Sequence, residues 1–185
     1  MILRTTSIKS VFAFLILLLT GAFNVVAQQN KLIVVDMEYP HLSQLEFTKT
    51  QNLEVLKLTT QENPWKNIRE YLQMHPEITE LHLFAKTTEN SIQLGGNNYS
   101  AKKLDAEFEI SLMETLYNFK NRHQLLIYSC NIAREETGRA ILKKLGERTL
   151  FNIAAPTSCD DIFSETLEFD FQTYPKANLI PITNL

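Results

Sequence analysis

The stretch QLLIYSCNIAREETGRAILKKLG, residues 124–146, joins a strand pattern to a helix pattern with only a few residues between them. Gln124 to Ser129 is mostly apolar, as expected for a buried strand of a parallel sheet. From about Ala133 to Leu145 the apolar residues recur at three- and four-residue spacing, which predicts an amphipathic helix that ends at Gly146. A strand followed closely by such a helix is typical of an α/β domain.

Further strand patterns lie on both sides of this unit and alternate with helix patterns. One helix pattern begins at Pro64, and a second begins after Ser100, with residues 104, 108, 112, 116 and 119 on one face. This alternation predicts a three-layer α/β sandwich with a mostly parallel sheet and helices on both faces. The strand patterns are residues 31–36 (KLIVVD), 53–58 (LEVLKL), 78–84 (ITELHLF) and 151–155 (FNIAA), with an edge strand at 167–171 (LEFDF).

A small hairpin is predicted beside the main sheet. Residues 91–94 and 98–100 are short strand patterns separated by Gly95, Gly96 and Asn97, which suit a tight turn. The two glycines are not followed directly by the helix that a phosphate-binding loop requires, so we interpret them as a turn. The tail from Tyr174 is expected to lie over the domain in extended form.

The N-terminus has the pattern of a secretory signal peptide. Arg4 and Lys9 precede the apolar run VFAFLILLL at residues 11–19, and Ala27 offers a small residue for cleavage. The apolar run is shorter than the ~20 residues that a membrane-spanning helix needs. We therefore expect residues 1–27 to be removed and residues 28–185 to form one domain, secreted or periplasmic and without a membrane anchor.

The charge of the chain narrows the class of partner. The whole sequence has 18 basic and 21 acidic residues, and loss of two basic residues with the signal peptide takes the net charge from −3 to −5. An acidic surface disfavours nucleic acid and anionic membranes, which bind basic patches. The expected partner is another exported or cell-surface protein. No cofactor or metal is expected, because the polar run Ser158, Asp160, Asp161 and Glu165 lacks the spacing of a calcium loop.

Candidate site residues lie where the predicted strands end, because ligands of open parallel sheets bind beyond the carboxyl ends of the strands. The relevant ends are Phe84 to Thr88, Ser129 to Asn131, and Ala155 to Asp161. Cys130 comes just before a predicted helix N-terminus, which stabilises a thiolate, so this position suits a nucleophile. The residues expected to line a binding crevice are Tyr128, Asn131 and Ala155.

Cys130 has two further interpretations. It could be an inert buried residue, or it could form a disulfide with Cys159, the other cysteine of the chain. Exported proteins meet oxidising conditions, and both cysteines lie at or beyond the carboxyl ends of strands that we expect to be neighbours. A disulfide at Cys130 would remove the nucleophile.

Several short segments of the sequence resemble those of a known family, and they occur in the family's order along most of residues 28–185. The most specific of them is IYSCNIA at residues 127–133. IQLG at 92–95, Gly138, Ala154-Ala155 and LEF at 167–169 accompany it. In these segments the sequence resembles a bacterial domain of unknown function found near the N-termini of very large surface and adhesin-like proteins. The fold of that family is similar to the caspase and gingipain group of cysteine peptidases. The resemblance implies a caspase-like fold with Cys130 at the nucleophile position.

The sequence departs from the family where the base is expected. Lys86 and Thr87 stand in place of a His-Gly pair. Cysteine hydrolysis needs a group that takes and returns a proton near neutral pH, and a lysine with an ordinary pKa of about 10.4 does this poorly. His82 is the alternative base, although a hydrogen-bonded sheet histidine is the competing interpretation. His41, His75 and His123 are expected in loops or at element ends.

Three functions follow from these patterns. The first is a pseudoenzyme, a caspase-like domain that serves as a binding or structural module without peptidase turnover. The second is a working cysteine hydrolase that uses Cys130 with a repositioned base such as His82. The third is a small-ligand binder that uses the strand-end crevice near Phe84, Tyr128 and Ala155.

Overall fold

The fold is built on a six-stranded sheet, seen in a computed structural model whose described residues are 30–45, 53–60, 63–116, 123–158, 163–164, 166–174, 179 and 182. The predicted signal peptide, Cys159 and most of the predicted tail lie outside these residues. The strands are β1 Asn30–Asp36, β2 Leu53–Leu58, β3 Ile78–Phe84, β4 Lys86–Thr88, β5 Ser91–Leu94, β6 Asn97–Tyr99, β7 Gln124–Ile127, β8 Asn152–Ala155 and β9 Phe171–Gln172. The α-helices are α1 Pro64–Met74, α2 Ala101–Ala106, α3 Phe108–Ser111, α4 Asn131–Arg134 and α5 Glu136–Thr149.

The strand order of the main sheet is β2-β1-β3-β7-β8-β9. The first five strands are parallel, and β9 adds to β8 in the antiparallel direction. The chain passes from β1 to β2 on one side and then returns to β3 on the other side, so the order reverses between β1 and β3. In open α/β sheets the carboxyl ends at such a reversal form a crevice. The predicted mixed α/β fold with a mostly parallel sheet is therefore confirmed.

The small hairpin is part of a second, three-stranded antiparallel sheet of β4, β5 and β6. Gly95 and Gly96 form its turn with φ of 58° and 71°, which glycine adopts without steric cost. The buried Asp36 carboxylate, at the end of β1, accepts a hydrogen bond from the Gly95 N–H at 2.6 Å. The end of β1 and the hairpin are thus held together. The sequence did not predict β4, which continues the chain directly beyond β3.

All five helices contribute to one core on the helix-side face of the main sheet, which carries the side chains of Leu32, Val34, Leu81, Leu83, Leu125, Ile127 and Ile153. Helix α1 is capped by Asn63, whose side-chain oxygen accepts the N–H groups of Trp65 and Lys66 at 3.1 Å each. Trp65 and Leu72 are buried against the sheet. Burial of side chains of this size contributes about 1.5–3 kcal/mol each, so this face provides much of the stability.

The opposite face, the loop-side face, carries Ile33, Val35, Phe84, Leu126, Tyr128 and Ala154. Among the described residues, its cover comes from segments outside the α-helices: Tyr39, Leu42, Leu45, Phe163, Leu167, Phe169, Leu179 and Ile182. The helical third layer predicted for this side is not present in the part of the chain that the structure describes. A turn of 3₁₀-helix at Leu42–Gln44 follows β1 there.

The second predicted helix is divided into short pieces, so its predicted single face is wrong. Glu107 has an extended backbone, with φ −85° and ψ 104°, and separates α2 from α3. Phe108, assigned to the buried face, is 68% exposed, whereas Ile110 and Met113 are buried. The apolar positions that are buried do not keep one helical period, and the chain bends to bury them.

The helix after Cys130 also differs from its prediction. It is broken at Glu135, whose φ of −102° and ψ of 156° separate α4 from α5. Helix α5 continues through Gly146 and ends at Thr149, with Leu150 in the left-handed region at φ 57°. Gly146 is therefore not the stop signal. In the described residues, no helix has the length and apolar character needed to cross a membrane.

Candidate functional site

A cleft of about 460 Å³ opens at the carboxyl ends of β1, β3 and β7, beside the point where the strand order reverses. Among the described residues, three segments and Phe163 form its walls. The segment after β1 provides Tyr39, Pro40, His41 and Gln44; the junction of β3 and β4 provides Ala85, Lys86 and Thr87; the end of β7 provides Tyr128, Ser129, Cys130 and Asn131; and Phe163 closes the side. This volume is in the ordinary range of small-ligand sites.

The segment after β1 is held in place by backbone and side-chain hydrogen bonds. Asp36 accepts the N–H of Glu38 at 2.7 Å, which turns the chain away from the sheet. The Tyr39 hydroxyl donates to the carbonyl of Tyr128 at 3.2 Å, so the segment is fixed to the end of β7. The Tyr39 ring packs edge-on against Phe84, with 5.7 Å between ring centroids. Burial raises the pKa of Tyr39, which keeps its hydroxyl a neutral donor.

Lys86 is the first residue of β4 and stands exposed in the cleft wall. It makes no ion pair within the described residues. Its neighbour Thr87 is buried and forms a 2.6 Å hydroxyl–hydroxyl hydrogen bond with Ser129, which links β4 to the end of β7. The two residues predicted to stand in place of His-Gly therefore have separate environments: Lys86 is exposed in the cleft wall, and Thr87 is buried against Ser129.

Cys130 follows β7 and is disulfide-bonded, with 6% of its surface exposed. Its Sγ lies 3.9 Å from Oδ1 of Asn131, but a disulfide sulfur has no proton to donate. Cys159 lies outside the described residues, so its pairing with Cys130 stays a prediction. The Cys130 sulfur, at the position predicted for a nucleophile, is not a thiol in this structure.

His82 lies inside the sheet and away from the cleft walls. It is fully buried, with Nε2 2.6 Å from Oε1 of Glu80 and Nδ1 2.8 Å from the hydroxyl of Tyr128. Burial lowers the pKa of His82 although the hydrogen bond to Glu80 opposes this shift. Both ring nitrogens are occupied, so His82 has no free atom for a substrate.

The hydrogen bonds around His82 form a hydrogen-bond chain in which the donor and the acceptor of each bond can be assigned. Lys31 lies 2.7 Å from the Glu80 carboxylate, and the bonds from His82 and Lys31 outweigh burial and lower the pKa of Glu80. The Glu80 carboxylate accepts a hydrogen bond from the Nε2–H group of neutral His82, so Nδ1 accepts a hydrogen bond from the Tyr128 hydroxyl. The Tyr128 oxygen in turn accepts the N–H of Ile182 at 2.7 Å. This hydrogen-bond chain connects Ile182, in the C-terminal segment, to the loop-side face.

His41 lines the cleft, whereas the sequence predicted only a loop residue. Its ring packs edge-on between Tyr39 and Phe163, at centroid distances of 5.7 and 5.9 Å. Tyr39, His41 and Gln44 were missed because the strand-end rule was applied to the later strands and not to β1. The end of β1 borders the reversal of strand order, so the same rule points to them.

The predicted site residues are only partly brought together. Lys86, Tyr128, Cys130 and Asn131 line the cleft. Ala155 is fully buried in the helix-side core and is not among the lining residues, because alternation along β8 turns its side chain toward the helices. In the described residues, no three His, Cys, Asp or Glu side chains are arranged to hold a metal ion.

The sheet and the cleft define a class of protein: an α/β domain with a mostly parallel sheet and a ligand-sized cleft at its reversal point. Within this class the chain belongs to the family described as domain of unknown function DUF4347, whose model matches residues 32–161. No curated protein and no solved structure matches the chain. The predicted membership in a family of unknown function is confirmed at this level.

Proposed function

We propose that this protein is an exported binding module with a caspase-like fold and no peptidase activity. The observation that carries the proposal is the disulfide at Cys130, which places an oxidised sulfur where the family resemblance expects a nucleophile. The caspase-like relationship is supported by that resemblance and by the sheet, in which five parallel strands are followed by one antiparallel edge strand.

The proposed lack of turnover follows from the chemistry of sulfur. A cysteine peptidase attacks its substrate with a thiolate, and a disulfide sulfur has neither the charge nor the proton to lose. We propose that the partner of Cys130 is Cys159, since the chain contains two cysteines. Export to an oxidising compartment would keep this disulfide formed.

The residues that could supply a base also support the proposal. Lys86 stands at the position of the family histidine and remains in contact with solvent. The ammonium group of a lysine donates hydrogen bonds and has no lone pair with which to accept a proton from a thiol. His82 is enclosed by Glu80 and Tyr128 and lies outside the cleft.

The cleft supports a binding role in place of catalysis. Its walls come from segments that are fixed by hydrogen bonds to the sheet, such as those of Tyr39 and Thr87. A cleft that is largely formed before binding loses little conformational entropy when a ligand enters. The side chains of Tyr39, His41 and Phe163 offer apolar surface to that ligand.

A second candidate function, a cysteine hydrolase that acts after reduction, is favoured by one observation. His41 lines the same cleft as Cys130, so a histidine is available on the accessible side of the site. Reduction would restore a thiol at Cys130, and His41 would then be the base to examine in place of His82.

A peptide-hydrolysis assay tests the proposal against this alternative. The exported protein is incubated with a fluorogenic peptide library, with and without dithiothreitol, beside the variants Cys130→Ala and His41→Gln. We expect no turnover in any condition. Turnover that appears with dithiothreitol and disappears in both variants would establish the hydrolase.

Export itself is tested by the mass of the protein recovered from the periplasm or medium of an expressing bacterium. We expect a chain that begins at Gln28, because the signal peptide pattern ends at Ala27. A recovered chain that still begins at Met1 and sediments with membranes would contradict the proposal.

A further inference from the structure

We infer that the cleft binds a ligand that carries one carboxylate beside an aromatic or apolar group, with Lys86 as the charge partner of the carboxylate. This inference rests on the proposed binding function and names the class of ligand. It is argued from the charge, the aromatic surface and the size of the cleft.

The charge of the cleft differs from the charge of the chain. The chain carries 21 acidic residues and a net charge of −3, yet the described residues that line the cleft include no Asp or Glu. Among these described lining residues, Lys86 carries the charged side chain, and His41 adds an imidazole. The local field therefore favours an anion, although the overall charge of the molecule is negative.

Lys86 is available to bind that anion. Lys31, Lys66 and Lys144 are each within 4 Å of a carboxylate, at 2.7, 3.9 and 2.6 Å. Lys86 has no such partner within the described residues, and its ammonium can turn toward a ligand carboxylate. The single lysine among the described lining residues balances the one charge of a carboxylate, whereas a multiply charged phosphate would need further cationic side chains at the site.

The aromatic side chains define the other half of the ligand. Tyr39, His41 and Phe163 form a row of edge-to-face contacts along one wall, with neighbouring centroids 5.7 and 5.9 Å apart. Such a row presents ring edges and faces to an incoming aromatic or aliphatic group. Lys86 belongs to a different segment of the same cleft. A ligand that reaches both needs its carboxylate and its apolar group close together.

The two sources of this chemistry are a free carboxylic acid and the C-terminal residue of a peptide. Both present one carboxylate next to a side chain. The cleft, at about 460 Å³, has room for a single residue of this kind. The experiment therefore uses a capped amino acid and a short peptide that end in the same residue.

Binding is measured by NMR titration of the ¹⁵N-labelled, oxidised protein. The probes are N-acetyl-phenylalanine, its uncharged match N-acetyl-phenylalaninamide, and the peptide acetyl-Gly-Gly-Gly-Phe with a free carboxylate. We expect the two acids to shift the amide signals of Lys86, Thr87 and residues 128–131, with the amide probe at least tenfold weaker. Tenfold corresponds to about 1.4 kcal/mol.

Charge variants locate the anion partner. Lys86→Gln is expected to weaken binding of the acids about tenfold, and Lys86→Glu to abolish it, because charge-assisted hydrogen bonds are stronger than neutral ones. Lys57→Gln, a change of an equally charged and exposed side chain on β2, is the matched control and should leave binding unchanged. Tighter binding of the peptide than of the capped amino acid assigns the site to chain ends, and equal binding assigns it to free acids.

Three outcomes would overturn the inference. They are equal binding of the acid and the amide probes, shifts confined to residues outside the cleft, and absence of binding by either acid at millimolar concentration. None of them changes the state of Cys130, so the proposed function is judged separately by hydrolysis and thiol measurements. Hydrolysis of a peptide probe would in turn overturn the proposed function and leave the carboxylate preference measurable.

Discussion

His82 illustrates how burial determines the role of a single residue. The sequence offers a histidine four residues before the position of the family histidine, and its type suits a general base. The structure places it on the loop-side face between Glu80 and Tyr128, where both nitrogens have partners. At this scale a residue's neighbours, and not its chemical type, decide whether it stabilises the fold or contacts a ligand.

The first prediction concerns the contribution of the His82 hydrogen-bond chain to the free energy of unfolding. His82→Ala is expected to lower the free energy of unfolding by about 3 kcal/mol, because it creates a cavity and removes one hydrogen-bond partner from each of the buried Tyr128 and Glu80 side chains. Urea unfolding at pH 7.5 measures this loss. His41→Ala is the control, since His41 is exposed and should change the free energy by no more than about 0.5 kcal/mol. Equal losses of unfolding free energy in the two variants would show that the His82 hydrogen-bond chain is not a source of stability.

Asp36 is the subject of a second prediction. Its carboxylate accepts N–H groups from Glu38 and Gly95, so one side chain orders both the cleft segment and the hairpin turn. Asp36→Ala is expected to cost about 2–3 kcal/mol, since both hydrogen bonds are lost and the one from Gly95 is buried. Hydrogen exchange should show faster exchange of the Gly95 amide in the variant. The exposed Asp105, paired with Lys144, is the control, and its replacement by alanine should have a much smaller effect.

The break between α4 and α5 shows how packing between elements overrides a helix pattern. The residues from about 133 to 145 have a continuous helical period, and the sequence therefore predicts one helix there. In the fold, a Cβ atom added to Gly138 would lie only 1.9 Å from the carbonyl oxygen of Ile132. The chain can bring α4 and the first turn of α5 this close only at a residue without a side chain.

Gly138 and Gly146 form a matched pair for a third prediction, because both lie in α5. Glycine to alanine in a helix usually stabilises by about 1 kcal/mol. Gly138→Ala should instead destabilise by more than about 2 kcal/mol, since the methyl group would collide with the backbone of Ile132 and Glu89. Gly146→Ala, whose Cβ would meet its nearest atoms at 3.3 Å, should stay within about 1 kcal/mol of the parent protein. Thermal unfolding of the two variants side by side measures the difference, and equal melting temperatures would contradict it.

The five parallel strands and the hairpin were predictable from the sequence, whereas β4 was not, and the helices were predictable only in part. Val34, Leu83 and Leu126 lie in apolar runs that are too short for a helix of ordinary length, so each run is clearly a strand pattern. The division of the second helix at Glu107 depends on which side chains fit under α1 and α5, information that spacing alone does not hold. The same is true of Gly146, where close packing, and not a helix end, explains the glycine.

At the scale of the molecule, the two faces of the main sheet differ in what covers them. The helix-side face is packed by all five α-helices, while the described residues over the loop-side face are outside α-helices. Polar groups enter that loop-side face through Glu80 and His82. Its stability therefore depends on hydrogen bonds and on the charge state of those groups more than the helix-side face does.

The dependence of global stability on pH is a fourth prediction. Burial lowers the pKa of both His82 and His123 in the folded protein, so the unfolded chain binds more protons below the ordinary histidine pKa of about 6.5. Stability is then full above this pH and falls as the pH decreases, by up to about 1.4 kcal/mol per pH unit for each histidine. Urea midpoints at pH 7.5 and 5.5 measure the change. The slope should be smaller in His82→Gln, and an unchanged slope in this variant would contradict the assignment to His82.

The position of the site could be predicted from the sequence, but five of its twelve described lining residues could not. The strand-end rule located Tyr128, Cys130 and Lys86, because each follows a strong strand pattern. His41 and Phe163 approach the cleft through loops whose path depends on hydrogen bonds such as that of Tyr39 to Tyr128. The oxidation state of Cys130 likewise depends on contacts in three dimensions and on the compartment, and the sequence could only offer alternatives.

The oxidation state of Cys130 most directly tests the proposal that the protein is a binding module without catalytic activity. The exported protein is unfolded in guanidinium with iodoacetamide, once without and once after reduction, and its mass is determined. The account predicts no added label before reduction and two after it, which is the result for one disulfide between the two cysteines of the chain. Label on Cys130 in the unreduced protein would contradict it, because a free thiol would then stand in the cleft beside His41.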